Sequence, residues 1–164
     1  MNAPAKPLAS LQANPRLGQW LTIHAEGTVT VRSGKVELGQ GIRTALAQIV
    51  AHELDVDIAR IRMLPAVTSA SPNEGVTAGS MSVADSGGAL RQVCAEARAI
   101  YLALAARQLG LPPEAAAQLQ VRDGQIGSPD AAQHTSYWAL ADDALLDSPS
   151  TGEARPKPAQ ERMP

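Results

Sequence analysis

Apolar and polar residues alternate in two short stretches near the start of the chain, residues 20–24 and 28–32. A period of two is typical of strands with one buried face. The Glu26-Gly27 pair between the stretches favours a tight turn, so the pattern predicts a β-hairpin. A shorter alternation around Asp123-Gly124, over residues 119–127, predicts a second hairpin. Residues 61–64, closed by Pro65, are a further strand candidate.

A helical period replaces the alternation in two longer stretches. The first predicted helix ends at residues 55–57, and its apolar face consists of Ile42, Leu46, Ile49, Val50 and Leu54. The longest predicted helix runs from about residue 81 to 109, with Gly110 as its C-cap. Ser136 is predicted to cap a last helix that reaches about residue 146. The expected class is α+β: short antiparallel hairpins with two long helices packed on one side.

Composition divides the chain into three parts. Residues 1–15, rich in Ala, Pro and Asn, are expected to form a flexible lead. Residues 16–147 hold the periodic elements and form one partial domain. Residues 148–164, rich in proline and charge, are expected to have nothing to pack with and to be a linker or a truncated tail.

Overall composition excludes several classes of protein. A net charge of −2 gives no argument for nucleic acid or an anionic membrane surface as a partner. No apolar run is long enough for a membrane span, and the first residues lack the apolar core of a secretory signal. A cytoplasmic location is therefore expected. Cys94 is the only cysteine, so this chain cannot hold a disulfide or an iron–sulfur cluster by itself. The chain has no Phe and much Ala, so its hydrophobic core is expected to be small. A small core fits a fragment that completes its core against a partner chain.

Gly39-Gln40-Gly41 joins the strand-rich region to the first long helix. Glycine on both flanks permits positive φ and close approach of backbone to a ligand. Free N–H groups at the start of the helix favour an anion, and the amide of Gln40 can both donate and accept. The lysine of a P-loop and the dinucleotide fingerprint are both missing. The alternative is an ordinary glycine turn before a helix.

A second stretch, Thr-Ala-Gly-Ser-Met-Ser at residues 77–82, opens the longest helix. It places the hydroxyls of Ser80 and Ser82 where four backbone N–H groups lack helical partners. Phosphate or another oxyanion would suit this position. Ordinary capping by serine or threonine remains the alternative.

Two runs of sequence carry a family resemblance. They are GKVELGQGIRTALAQIVAHELDVD at residues 34–57 and PNEGVTAGSMS at residues 72–82, supported by SGGALRQVCAEARAIYLALAA and TGEARPKP further along. They resemble the molybdopterin-binding subunits of the xanthine dehydrogenase and aldehyde oxidase family, in particular the isoquinoline 1-oxidoreductase and nicotinate dehydrogenase types. The resemblance covers about residues 14–161.

This resemblance implies a molybdenum–molybdopterin cofactor, in its cytosine dinucleotide form. It places the Gly-Gln-Gly turn beside the pterin, and it assigns the phosphate end to the serine stretch. The implied cofactor-binding residues are Gly39, Gln40, Gly41, Thr77, Ala78, Gly79, Ser80 and Ser82.

No catalytic or metal-binding residue is assigned to this chain. The family's catalytic glutamate lies in a Gly-Glu context near the end of a subunit several times longer, and neither Glu37 nor Glu74 matches that position. Glu74 is expected to be a loop or capping carboxylate. His24, His52 and His134 do not share ligand spacing with a carboxylate or a thiolate.

The resemblance therefore implies an N-terminal fragment or split subunit that needs other chains. The expected partners are the remaining molybdopterin-binding chain and an iron–sulfur subunit, and a partner could also carry a twin-arginine export signal. The assembled enzyme would oxidise N-heterocycles or aldehydes with water as the oxygen source. One alternative is a catalytically silent truncated remnant or scaffold protein. Another is a generic oxyanion- or nucleotide-binding domain without molybdenum.

Overall fold

Two small sheets and two long helices organise the chain in the computed structural model, which describes residues 8–78, 81–128 and 133–158. The first sheet contains β1 (Leu21–Ile23), β2 (Val29–Val31) and β3 (Ile61–Met63) in that order. β1 and β2 are antiparallel with Thr22 opposite Thr30, which confirms the first predicted hairpin. β3 runs parallel to β2. The alternation of residues carries no information on strand direction, so this parallel pair could not be predicted from it.

The helix that connects β2 to β3 is α2 (Ile42–Leu54), and it ends at the predicted place. It ends where Asp55 adopts a positive φ of 55°. A crossover helix is the usual connection between parallel strands. Because β2 and β3 are parallel, both of their carboxyl ends lie at the same edge of the sheet.

The longest predicted helix is also present, with one irregular turn. A π-helical turn (Val83–Gly87) leads directly into α3 (Gly88–Gln108). Gly87 lies at the contact with α2, where a Cβ atom would come within 2.8 Å of Ile49 Cδ1. Glycine therefore lets the two helices approach closely at this point. The predicted α+β class is confirmed. None of the helices in the described ranges combines the length and the apolar character that a membrane span needs.

The second sheet contains β4 (Gln120–Arg122), β5 (Gln125–Gly127) and β6 (His134–Ser136), all antiparallel. The second predicted hairpin is confirmed. The predicted helix from Ser136 is wrong, because Ser136 ends β6 and only a short 3-10 turn (Asp143–Leu146) follows. Tyr137 N donates to Gly124 O, and the Tyr137 ring packs edge-on against Tyr101. These long-range contacts outweigh the local tendency to form a helix.

Both ends of the described chain pack against the core. A short helix, α1 (Ala9–Ala13), lies within the range expected to be a flexible lead, and its Leu11 is buried. The Asn14 side chain donates to Ser10 O and Asn73 O, and Asn14 O accepts from the buried Trp20 indole.

The expectation that the tail has nothing to pack with is wrong. Residues 150–157 bond to two buried carboxylates, Glu96 of α3 and Glu53 of α2. Lys157 also donates to Asp55 and to His52 O. A buried carboxylate requires donors, and the hydroxyls and amides of this tail supply them.

Candidate functional site

The two stretches singled out in the sequence follow the carboxyl ends of the parallel strands. The Gly-Gln-Gly turn lies in the connection from β2 to α2, and the serine stretch lies at the end of the long loop that follows β3. The carboxyl edge of parallel strands is where many α/β proteins bind ligands. The topology therefore explains why two stretches about forty residues apart approach each other.

Direct hydrogen bonds join the two connections. Val36 N donates to Thr77 Oγ1 at 2.9 Å. Lys35 Nζ donates to the carbonyls of Glu74 at 3.0 Å and Val76 at 3.2 Å, and it lies 3.8 Å from Asp85 Oδ2. The Lys35 side chain is almost fully buried, and its charge is compensated by these three acceptors. The loop before the serine stretch is thus held against the segment between β2 and the Gly-Gln-Gly turn.

Glu74 strengthens the same junction. Its Oε2 accepts from Gly34 N at 2.7 Å and from the hydroxyls of Ser33 and Ser86 at 2.9 and 3.0 Å. The prediction of a loop or capping carboxylate is confirmed. Glu74 Oε1 is buried and makes no hydrogen bond in the described part of the chain.

Gly34 is required by the close approach of the two connections. A Cβ atom at this position would lie 2.3 Å from Pro72 O and 3.2 Å from Glu74 N. Both neighbours are backbone atoms, so they cannot move aside as the end of a flexible side chain can. Sequence reasoning did not single out Gly34 or Lys35. The available signal was a glycine and a basic residue shortly after a buried strand.

The Gly-Gln-Gly turn itself is open to solvent. Gly39 and Gly41 have φ of 93° and 75°, as expected for paired glycines. A Cβ at either position would meet nothing within 4 Å. Glycine is therefore needed here for its backbone conformation, and the exposed turn leaves room for a ligand to approach its backbone.

A carboxylate of the chain itself occupies part of the predicted anion site at the start of α2, which corrects the expectation that its N–H groups are free. Glu37 Oε1 accepts from Gly39 N at 2.8 Å and Gly41 N at 3.0 Å, and Oε2 accepts from Arg43 N at 3.2 Å. These hydrogen bonds lower the pKa of the Glu37 carboxyl, and the bond from Arg43 N has the largest effect. The chain thus supplies its own anion to the positive end of the helix.

The Gln40 side chain also bonds within the turn. Its Nε2 donates to Val36 O at 2.8 Å, and its Oε1 accepts from Leu38 N at 2.5 Å. The side-chain amide therefore both donates and accepts, and its two hydrogen bonds link residues 36, 38 and 40 of the loop.

The serine stretch is described only in part. Thr77 is half-buried and Ala78 is exposed, whereas Gly79 and Ser80 lie outside the described residues. Ser82 immediately precedes the π-helical turn, and its side chain makes no capping hydrogen bond. Its hydroxyl is not used to cap the helix, in contrast to the carboxylate at the start of α2.

The sequence model of a molybdopterin cofactor-binding domain matches residues 4–159. The chain belongs to this family. It is 38% identical over 122 residues to a nicotinate dehydrogenase subunit of Pseudomonas putida, a match that covers 74% of this chain. It is 36% identical over 128 residues to the β subunit of isoquinoline 1-oxidoreductase of Brevundimonas diminuta, again over 74% of this chain.

A solved structure shares the fold of this molybdopterin cofactor-binding domain. The crystal structure of a Cu,Mo-CO dehydrogenase superposes with a TM-score of 0.57 and 26% identity over 73% of this chain. This chain covers 10% and 16% of the two relatives and 15% of the solved chain. The predicted resemblance to the molybdenum hydroxylases is confirmed, and it applies to a small part of each of these larger proteins.

Proposed function

We propose that this domain binds the molybdenum–molybdopterin cofactor across the Gly-Gln-Gly turn and the serine stretch together. The observation that carries the proposal is the junction between them. The Val36–Thr77 hydrogen bond and the buried Lys35 join the described parts of the two loops. The open turn at Gly39 and Gly41 fits a ligand that lies against exposed backbone.

Within this surface, we assign the pterin to Gly39, Gln40 and Gly41. The phosphate end, in the cytosine dinucleotide form, is assigned to the serine stretch. Hydroxyls and backbone N–H groups at the start of a long helix suit phosphate oxygens. The residues proposed to hold that end are Thr77, Ala78, Gly79, Ser80 and Ser82.

Exposed aliphatic side chains surround both loops and support a role for partner chains. We call this set the apolar rim, and its side chains are between 42% and 80% exposed: Val36, Leu38, Leu64, Val67, Val76, Met81 and Val83. Contiguous exposed apolar surface marks interaction sites in soluble proteins. A polar pterin does not match aliphatic side chains, so we propose that the remaining molybdopterin-binding chain covers the rim. An iron–sulfur subunit would then remove electrons from the assembled enzyme.

The proposed reaction is hydroxylation of an N-heterocycle or an aldehyde with oxygen from water. The cofactor supplies this oxygen transfer and takes up the electrons when it is bound. This chain's part is to hold and orient the cofactor. Glu37 and Glu74 are engaged in loop hydrogen bonds and Asp85 is paired with the buried Lys35, so the general base is expected from a partner chain. We place the assembly in the cytoplasm, unless a partner's twin-arginine signal exports it.

The experiment is purification of the chain from its native host together with the chains that accompany it. We expect a larger molybdopterin-type chain and a cysteine-rich chain in the complex. We also expect incorporation of ¹⁸O from labelled water into an oxidised heterocycle or aldehyde. A folded chain that remains a monomer and never associates with such partners would overturn the proposal.

A further inference from the structure

Glu37 lies two residues before the Gly-Gln-Gly turn and is tied to it through three backbone amides. Gly39 N and Gly41 N share one carboxylate oxygen, and Arg43 N binds the other. One side chain therefore fixes five residues of backbone, from the middle of the loop to the first turn of α2. Hydrogen bonds to an ionised acceptor are stronger than those between neutral groups.

The Gln40 side chain is bonded within the turn as well. Gln40 bonds to Val36 O and Leu38 N. The turn thus has a defined shape that does not depend on a bound ligand. A site that is shaped in advance does not lose the free energy needed to order a flexible loop on binding.

The same contacts determine which ligand groups the turn accepts. An anion arriving at the start of α2 would meet the negative charge of Glu37, which already occupies the amides of Gly39, Gly41 and Arg43. Glu37 lines a 230 Å³ cavity together with two cations, Lys35 and Arg43. Lys35 is bonded to two carbonyls and lies near Asp85, and the Arg43 guanidinium donates to Met63 O. Without Glu37, three free amides and a nearby arginine would attract an anion.

We propose that Glu37 is a positioning residue with two effects. It holds the Gly-Gln-Gly turn in one shape, and it keeps anionic groups away from the start of α2, so that the phosphates of the ligand are directed to the serine stretch. This inference rests on the proposed function, because it concerns how the same cofactor is oriented. Its two effects are properties of the chain without cofactor and can be measured there.

The test uses the full chain labelled with ¹⁵N, in the wild type, Glu37→Ala and Glu37→Gln. Glu26→Gln is the matched control, because Glu26 is also an exposed turn carboxylate and bonds only to Thr28 among side chains. Hydrogen exchange of the Gly39, Gly41 and Arg43 amides reports the shape of the turn. Titration with inorganic phosphate, followed at the same three amides, reports exclusion of anions.

Glu37→Ala should speed exchange of these amides roughly tenfold and should create saturable phosphate binding at them. Glu37→Gln keeps a carbonyl acceptor but removes the charge, so it should retain part of the protection while phosphate binding appears. Wild type and Glu26→Gln should show neither change. Unchanged exchange in Glu37→Ala would overturn the positioning effect, and phosphate binding at these amides in wild type would overturn the exclusion. A wild-type enzyme without molybdenum would instead overturn the proposed function and leave these results unaffected.

Discussion

Glu37 and Glu96 each gather several donors, in opposite surroundings. Glu37 stands on the exposed Gly-Gln-Gly turn and accepts from three backbone amides. Glu96 is only 5% exposed and lies between α3 and the tail. It accepts from the Ser150 hydroxyl at 2.6 Å, from Thr151 N at 2.7 Å and from Gly152 N at 3.0 Å.

The two glutamates are expected to contribute differently: Glu96 to the stability of the domain, and Glu37 to the shape of one loop. If Glu96 is removed, a buried ionised acceptor is lost from α3, and with it the hydrogen bonds that attach residues 150–152 to the helix. If Glu37 is removed, water can replace the carboxylate at the exposed amides. The same arrangement therefore attaches the tail at one site, whereas at the other it fixes a loop with little effect on the stability of the whole domain.

The largest expected effect on stability comes from removing the buried carboxylate of Glu96. Glu96→Ala should lower the free energy of unfolding by about 2 kcal/mol, because a buried, hydrogen-bonded side chain is deleted and residues 150–152 lose their attachment to α3. Urea unfolding followed by circular dichroism measures this, with Glu26→Gln as the control. Equal midpoints for Glu96→Ala and the control would show that the tail contributes nothing to stability.

The next effect concerns the junction between the two loops. Gly34→Ala places a methyl group against Pro72 O and should cost about 1–3 kcal/mol through overpacking. It should also increase hydrogen exchange of the Val36 amide, which bonds to Thr77. Gly88→Ala is the matched control, because its added Cβ would meet the flexible end of Leu8 at 3.3 Å. An unchanged Val36 amide in a folded Gly34→Ala variant would contradict the proposed junction.

Lowering the pH is expected to have a smaller effect on the stability of the domain. Burial alone would raise the pKa of Glu96, but the hydrogen bonds from Ser150, Gln92, Thr151 and Gly152 together lower it below the usual 4.5. A carboxyl whose pKa is lower in the folded state stabilises that state above the unfolded pKa, and the contribution disappears as the pH falls through the folded pKa. The stability advantage of wild type over Glu96→Gln should therefore be full near neutral pH and shrink below about pH 4.5. An advantage that grows in acid would have the wrong sign.

The smallest effect on stability is expected at the exposed site. Glu37→Ala should leave the urea midpoint unchanged, because the three amides remain accessible to water. Its effect should be confined to hydrogen exchange and phosphate binding at the turn. A midpoint lowered as far as in Glu96→Ala would remove the distinction between the two carboxylates.

Periodicity in the sequence predicted the elements that depend on local contacts. The β1–β2 hairpin, α2 and the β4–β5 hairpin all have residue patterns of the expected period. It could not predict the direction of β3, which is set by the length and packing of the α2 crossover. It also misread the segment after Ser136, because Tyr137 is held by the distant Gly124 carbonyl and the Tyr101 ring.

The candidate site, like the fold, could be predicted from the sequence only in part. The two motifs were recognisable as sequence, but the contacts that join them were not. Gly34 and Lys35 act through partners about forty residues away. Glu37 could have been predicted as a cap, because a carboxylate close before a helix complements its positive end.

The most direct test of the central claim, that the two loops form one cofactor site, is the molybdenum and pterin content of the purified complex. It should be compared for wild type, Gly34→Ala and the Gly88→Ala control. We predict stoichiometric molybdenum and pterin in wild type and Gly88→Ala, and a severe loss of both in a folded, partner-bound Gly34→Ala. Equal loading of all three proteins would show that the junction does not form the site, and a folded, partner-bound wild type without molybdenum would contradict the account.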